Sequence, residues 1–175
     1  MAGVRFWWVA GIIFAAAISR LVPHPANFAP IGAMALFSGA HADRRIAFLL
    51  PFLAMFGSDL VIGLHSELPF VYGCFAINVL MGCWLRQRRS FLNVCAATLA
   101  CALLFYVVTN FGVWLMQDGT YPKTAAGLAT CYVAALPYFE RSLLGDYFYT
   151  AVMFGGFALA ERRFASLREQ SVAMT

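Results

Sequence analysis

Side chains that could do chemistry are few in this sequence, and they stand inside or beside long apolar runs. Asp59 lies in GSDLVIG and Cys74 in FVYGCFAIN, while His24 and Asn27 share the segment PHPANFAP. Ionisable groups in such surroundings are energetically costly and usually mark a binding site or a transport path. A carboxylate, an imidazole and a thiol could together hold a polar ligand or, through the thiol, a metal.

Asp59 and His24 each have a structural alternative. A buried carboxylate needs a partner, and Arg141 or His24 could supply it, so that a ligand contact and a structural ion pair are both open. The prolines of PHPANFAP fix the backbone and predict a rigid binding loop around His24. A connector with a solvated imidazole is the alternative.

Cys74 follows Tyr72 and Gly73, and the glycine leaves room for a bulky ligand to approach the backbone. A thiolate is a soft donor that suits a transition metal, and a bound metal ion promotes the deprotonation that this requires. The alternative interpretation of Cys74 is a small side chain packed between helices.

The composition indicates the environment of these residues. The chain of 175 residues is 62% hydrophobic and 11% charged, whereas soluble domains carry about 25% charged residues. Unbroken apolar runs favour membrane helices over a barrel, whose strands alternate apolar and polar residues. The net charge of +4 comes from basic clusters between apolar runs, which is typical of membrane topology rather than of nucleic-acid binding.

The apolar runs predict an all-α integral membrane protein with a six-transmembrane-helix bundle. Residues 1–163 form one transmembrane domain, and residues 164–175 form a polar cytoplasmic tail. The apolar segment 124–137 is too short to span, so we expect it to form an outer capping segment, with a seventh span as the alternative. The predicted spans are 5–21, 27–42, 45–64, 69–86, 91–114 and 142–161.

The distribution of Lys and Arg predicts the orientation. With both termini in the cytoplasm, nine arginines lie inside and three basic residues outside. The nine are Arg5, Arg44, Arg45, Arg86, Arg88, Arg89, Arg162, Arg163 and Arg168, and the three are Arg20, Lys123 and Arg141. Most other polar residues then fall at the outer end, where we expect the ligand site. The outer set is His24, Asn27, Asp59, His65, Glu67, Tyr72, Cys74, Asn110, Asp118, Tyr121, Arg141 and Asp146.

Other functions have less support. The sequence has no HExxH motif and no paired histidines at helical spacing. A membrane enzyme stays an alternative, but no catalytic motif supports it. It also has no nucleotide-binding loop, so energy for transport would come from another protein.

Four segments carry a family resemblance: SRLVPHPANFAPIGA, GSDLVIG, VYGCFAIN and YPKTAAGLATCYVAALPYFERSLLGDYFYT. With them the chain resembles the S-components of energy-coupling-factor (ECF) vitamin transporters, and most of all the solitary cobalamin transporters of the BtuM type. The resemblance implies a substrate-binding subunit in the bacterial inner membrane. It also implies a shared transmembrane subunit and ATPases as possible partners.

The resemblance further implies the ligand and its contacts. The ligand is cobalamin as bound substrate, or another small vitamin or nucleobase, with no other cofactor expected. In the BtuM type a membrane cysteine ligates the cobalt and assists removal of cyanide, and Cys74 fits this role. His24, Asn27, Asp59, Tyr72 and Arg141 are the candidates for supporting contacts. The first helix has Gly11 and Ala15 where S-components have an AxxxA motif.

Overall fold

The computed structural model describes residues 2–23, 25–44, 46–64, 66–117 and 119–168, and every regular element in these ranges is a helix. The all-α class predicted from the sequence is confirmed. The first five helices are α1 (Ala2–Ser19), α2 (Ile31–His41), α3 (Leu49–Ile62), α4 (Leu68–Leu85) and α5 (Phe91–Met116). The last helix, α6, covers Ala125–Arg163 and contains a π-helical turn at Ala151–Gly155.

The short helix α2 forms the centre of the bundle. Each of its residues from Gly32 to His41 is buried, as expected for a helix that is apolar on all sides. It packs most extensively on α4, where Gly39 lies against the backbone of Val79 and Gly82 lies against the backbone of Leu36. A Cβ atom at either glycine would collide with the other helix, so this close crossing requires both.

Successive helices run in opposite directions, and the first and last helices therefore meet at one end of the bundle. There Arg5 of α1 forms an ion pair with Glu161 of α6 (2.6 Å). At the same end Arg86 donates hydrogen bonds to the carbonyl oxygens of Gly39 and Ala42, where α2 finishes. We call this the arginine end and the opposite one the open end.

The prediction of six membrane spans is wrong in number. In the described part of the chain three helices are long and apolar enough to cross a membrane: Leu68–Leu85, Phe91–Met116 and Ala125–Arg163. α2 and α3 have 11 and 14 residues, or about 16 and 21 Å against the roughly 30 Å of a bilayer core. Pro30 stops α2 from beginning earlier, because the residue before a proline is disfavoured in the helical conformation.

The predicted capping segment 124–137 is also wrong. These residues begin α6, whose first turn is capped by the Thr124 hydroxyl accepting a hydrogen bond from the Gly127 N–H (3.1 Å). The helix continues past Pro137 and reaches Arg163 after 39 residues, a length of about 58 Å. The predicted span 142–161 is therefore the second half of a longer helix, and the segment is neither a separate cap nor a separate seventh span.

After α6 the chain turns back onto α1. Leu167 is fully buried in a short 3₁₀ turn, and the ring of Phe164 lies 5.9 Å from that of Trp8. Arg5 donates a hydrogen bond to the carbonyl oxygen of Leu167. The segment predicted as a polar tail thus begins with packed residues, and residues 169–175 lie outside the described ranges.

Candidate ligand-binding site

Two adjoining cavities lie at the open end, where α2 begins and α5 and α6 extend beyond it. The first, which we call the α2 cavity, measures about 320 Å³ and lies between Arg20, Gly32 and Asp146. The second, the hairpin cavity, measures about 310 Å³ and lies among α4, α5 and α6. Both are lined by Asn27, Phe105 and Ser142. Their volumes are those of small-molecule sites, which begin at about 300 Å³.

The segment before α2 separates the two cavities. Asn27 adopts a left-handed backbone conformation (φ 65°), which asparagine tolerates better than most residues. Its carbonyl oxygen accepts a hydrogen bond from the Ser142 hydroxyl (3.2 Å). One turn further along α6, Gly145 lets the backbone of Phe28 approach closely. The loop is therefore held against α6 at the point where the cavities meet.

The wall of the hairpin cavity is aromatic and, apart from Glu67, carries neutral hydrogen-bonding groups. The rings of Tyr106 and Phe139 lie 4.8 Å apart on facing helices. At the mouth of the cavity, the Gln117 amide donates a hydrogen bond to the Glu67 carboxylate (2.8 Å). Such a wall suits a flat, partly apolar ligand with hydrogen-bonding edges.

Asp59 lies in a cluster of four side chains, and Arg20 supplies its partner. The Arg20 guanidinium donates to one oxygen of Asp59 (2.9 Å) and the Tyr72 hydroxyl to the other (2.9 Å). Arg20 also donates to the hydroxyl of Ser58. The prediction of Arg141 as the partner is wrong, and His24 lies outside the described residues. Because these groups satisfy one another, the cluster holds α1, α3 and α4 together.

Asp146 provides a second buried carboxylate, on the wall of the α2 cavity. It accepts hydrogen bonds from the backbone N–H groups of Gly32 and Ala33 in the first turn of α2. A Cβ atom at Gly32 would lie 2.6 Å from one of its oxygens, so the glycine makes room for this contact. The carboxylate thereby satisfies N–H groups that have no partner within the helix.

Comparison with known proteins adds a family. A family model described as a family of unknown function (DUF6580) matches residues 2–168. The chain belongs to the DUF6580 family. No curated protein and no solved structure matched it.

The DUF6580 chain brings some of the predicted site residues together and separates others. Asn27 lines both cavities, and Tyr72 bonds to Asp59. Arg141 is exposed and makes no hydrogen bond within the described ranges. Cys74 is buried, with its thiol directed at the carbonyl oxygen of Leu104 on α5 (3.9 Å), and it is not among the described residues that line the two cavities.

No metal cluster is formed in the described part of this DUF6580 protein, because no three His, Cys, Asp or Glu side chains lie close enough to hold an ion.

Sequence reasoning places Asp146 in the outer polar set but names neither Asp146 nor Arg20 as a candidate contact. Arg20 directly follows the first apolar run, and its position there serves only to predict the orientation of the helices in the membrane. Asp146 follows Gly145 inside the last apolar run, and a small residue beside an acid is a signal for a close contact with a neighbouring helix. Neither signal identifies the partner, because that depends on how the helices pack.

Proposed function

We propose that this protein is a membrane-embedded subunit that binds a vitamin-sized solute for uptake. The observation that carries the proposal is the pair of adjoining cavities at the open end, opposite the arginine end. A ligand would enter from the open end and contact the wall of Asn27, Phe105 and Ser142 that both cavities share.

The proposed location is the bacterial inner membrane, with several crossings and the arginine end in the cytoplasm. Large apolar side chains point outward along the helices, including Trp7, Val61 and Phe91, which are 71 to 81% exposed. Such surface is stable in lipid and unfavourable in water. In this setting α4, α5 and α6 cross the bilayer, and the shorter helices pack against them at membrane depth.

The proposed energy source is a partner protein, a shared ECF-type transmembrane subunit with its ATPases. Gly11 of α1 is exposed, and a Cβ atom placed on it would meet nothing within 4 Å. Ala15, one turn later, is exposed as well. Two small residues at this spacing let another membrane helix approach closely.

Two kinds of solute fit this proposal. The cavity volumes favour a solute smaller than a corrin, such as another small vitamin or a nucleobase, with Cys74 only packed. Cobalamin is the second candidate, because Val71 lines the hairpin cavity and Cys74 lies one helical turn below it on α4. For cobalt ligation, α4 and α5 would have to separate near Leu104, which now accepts the Cys74 thiol.

The chemistry proposed for cobalamin is a ligand exchange. The deprotonated Cys74 thiol would bind cobalt(III) on the side opposite cyanide, where it displaces the vitamin's own nucleotide base, and would weaken the Co–CN bond by electron donation. Cyanide would leave as the anion, and cobalt would keep its oxidation state. If cyanide is removed once per bound cobalamin, the protein is a transporter with a chemical step. If the removal is repeated in turnover, the protein is an enzyme.

The test is the visible spectrum of cyanocobalamin mixed with the purified protein in detergent. Cobalamin binding through Cys74 predicts a shifted corrin spectrum that Cys74→Ser abolishes and that the control Cys83→Ser, on the same helix, retains. If the wild type retains no corrin, cobalamin is excluded and the smaller solute remains. A shifted spectrum that survives Cys74→Ser would keep cobalamin and exclude the thiolate.

A further inference from the structure

We propose that the solute entering the α2 cavity carries a cationic group, in the form of a protonated amine, that pairs with Asp146. The inference rests on the proposed solute-binding function and specifies the charge of the ligand. It follows from the charges that surround the cavity.

Asp146 is only partly compensated where it lies. Its carboxylate is buried, and its partners are the two backbone N–H groups at the start of α2. The N-terminus of a helix is equivalent to roughly half a positive elementary charge. About half of the charge of an ionised Asp146 therefore remains without a counterpart.

The nearest basic residue of the cavity wall is already engaged. Arg20 lines the α2 cavity, but its guanidinium nitrogens bond to Ser58 and Asp59. Among the described residues no cationic side chain forms an ion pair with Asp146. Removing a carboxylate from water without a paired cation is strongly unfavourable, so a cationic ligand would stabilise this arrangement.

The rest of the wall also suits an ammonium group attached to a ring. Asn27 and Ser142 offer polar atoms near the carboxylate, and the shared residue Phe105 leads into the aromatic hairpin cavity. Aromatic faces attract cations. A primary ammonium also has N–H donors, which the carboxylate accepts in charge-assisted hydrogen bonds.

The experiment compares two compounds of nearly the same shape, benzylammonium and benzyl alcohol. Binding to the wild-type protein in detergent is measured by the ligand-observed NMR signal over millimolar concentrations. We expect benzylammonium to bind about tenfold more tightly, the ratio that one charge-assisted hydrogen bond provides. Asp146→Asn keeps an oxygen for the N–H groups of Gly32 and Ala33 but should abolish the preference.

The matched control is Glu140→Gln, which removes an exposed carboxylate from the same helix and should leave the preference unchanged. Equal or tighter binding of benzyl alcohol to the wild type overturns the inference and leaves the solute-binding proposal standing. If neither compound binds, the inference is overturned, and the corrin spectrum then tests the solute-binding proposal separately. The wild-type protein alone shows which of the two compounds binds more tightly, so the test of the inference does not depend on whether Asp146→Asn folds.

Discussion

At the scale of single residues, Asp59 and Asp146 show two ways to keep a carboxylate inside this bundle. Asp59 has a full ionic partner in Arg20 and a hydroxyl donor in Tyr72. Asp146 has only the backbone N–H groups of Gly32 and Ala33. The first arrangement ties helices together, and the second leaves charge available to a ligand.

The first prediction concerns the pair of Arg20 and Asp59. Arg20→Gln or Asp59→Asn alone should destabilise the protein by about 3 kcal/mol or more, because each leaves a buried charge without its partner. The double variant should be more stable than the sum of the two losses implies. Thermal unfolding in detergent measures this, with the exposed Arg141→Gln as control. Additive losses would show that the two side chains do not interact.

The second prediction concerns Gly32. A Cβ atom there would lie 2.6 Å from the Asp146 carboxylate, so Gly32→Ala should displace that carboxylate from the start of α2. We expect benzylammonium to bind to this variant about tenfold more weakly than to the wild type. The protein should stay folded, because only the Asp146 side chain, and no backbone, has to move. Gly73→Ala, at an exposed glycine with open space around it, should bind as the wild type does.

The residue types were predictable from the sequence, but their partners were not. Asp59 was recognised as a carboxylate that needs a cation, yet Arg20 reaches it only because the end of α1 lies beside α3. Asn27 lines both cavities, and its role as a ligand contact stays a prediction. Whether Cys74 faces a cavity depends on how α4 is rotated about its axis. The sequence of a helix with apolar residues on all sides does not reveal that rotation.

At the scale of the elements, the sequence predicted α4 and α5 closely but missed the first half of α6, the longest helix. α4 and α5 agree with their predicted spans to within one or two residues. The sequence predicts two separate segments where the structure has the single helix α6, because Pro137 and the short apolar run 124–137 resemble the end of a helix. In the structure the first half of α6 is held by α5, since Tyr106 donates to the carbonyl of Tyr132 (2.6 Å) and Tyr132 to that of Val107 (2.7 Å).

The third prediction concerns the crossing of α2 and α4. Gly82→Ala should lower the melting temperature by several degrees, because its Cβ atom would collide with the carbonyl oxygen of Leu36, which is backbone and cannot turn away. The matched control is Gly73→Ala on the same helix, and measurement is by thermal unfolding in detergent. A Gly82→Ala protein as stable as this control would contradict the close crossing.

At the scale of the whole molecule, the alternating helices give the bundle two chemically different ends. Arg86 meets the carbonyl end of α2 at the arginine end, whereas the open end carries the cavities. The proposed orientation follows from this asymmetry, because the end of a membrane helix bundle that is rich in arginine stays in the cytoplasm.

The fourth prediction tests that orientation with reporter fusions. Alkaline phosphatase, which is active only outside the cytoplasm, should be active when inserted after Thr120, between α5 and α6. It should be inactive when fused after Arg168, where green fluorescent protein should fluoresce. The opposite pattern would invert the protein and place the cavities on the cytoplasmic side.

The burial of α2 has a consequence for biogenesis. This helix offers no face to lipid, so partition into the bilayer does not drive its insertion, and the helix that covers it most extensively is α4, on which Gly39 packs. α4 is synthesised later, because Gly39 precedes its neighbours Val79 and Gly82 in the chain. During translation α2 is therefore present before the helix that covers it. We expect a nascent chain that stops before α4 to be degraded instead of accumulating as a stable fragment.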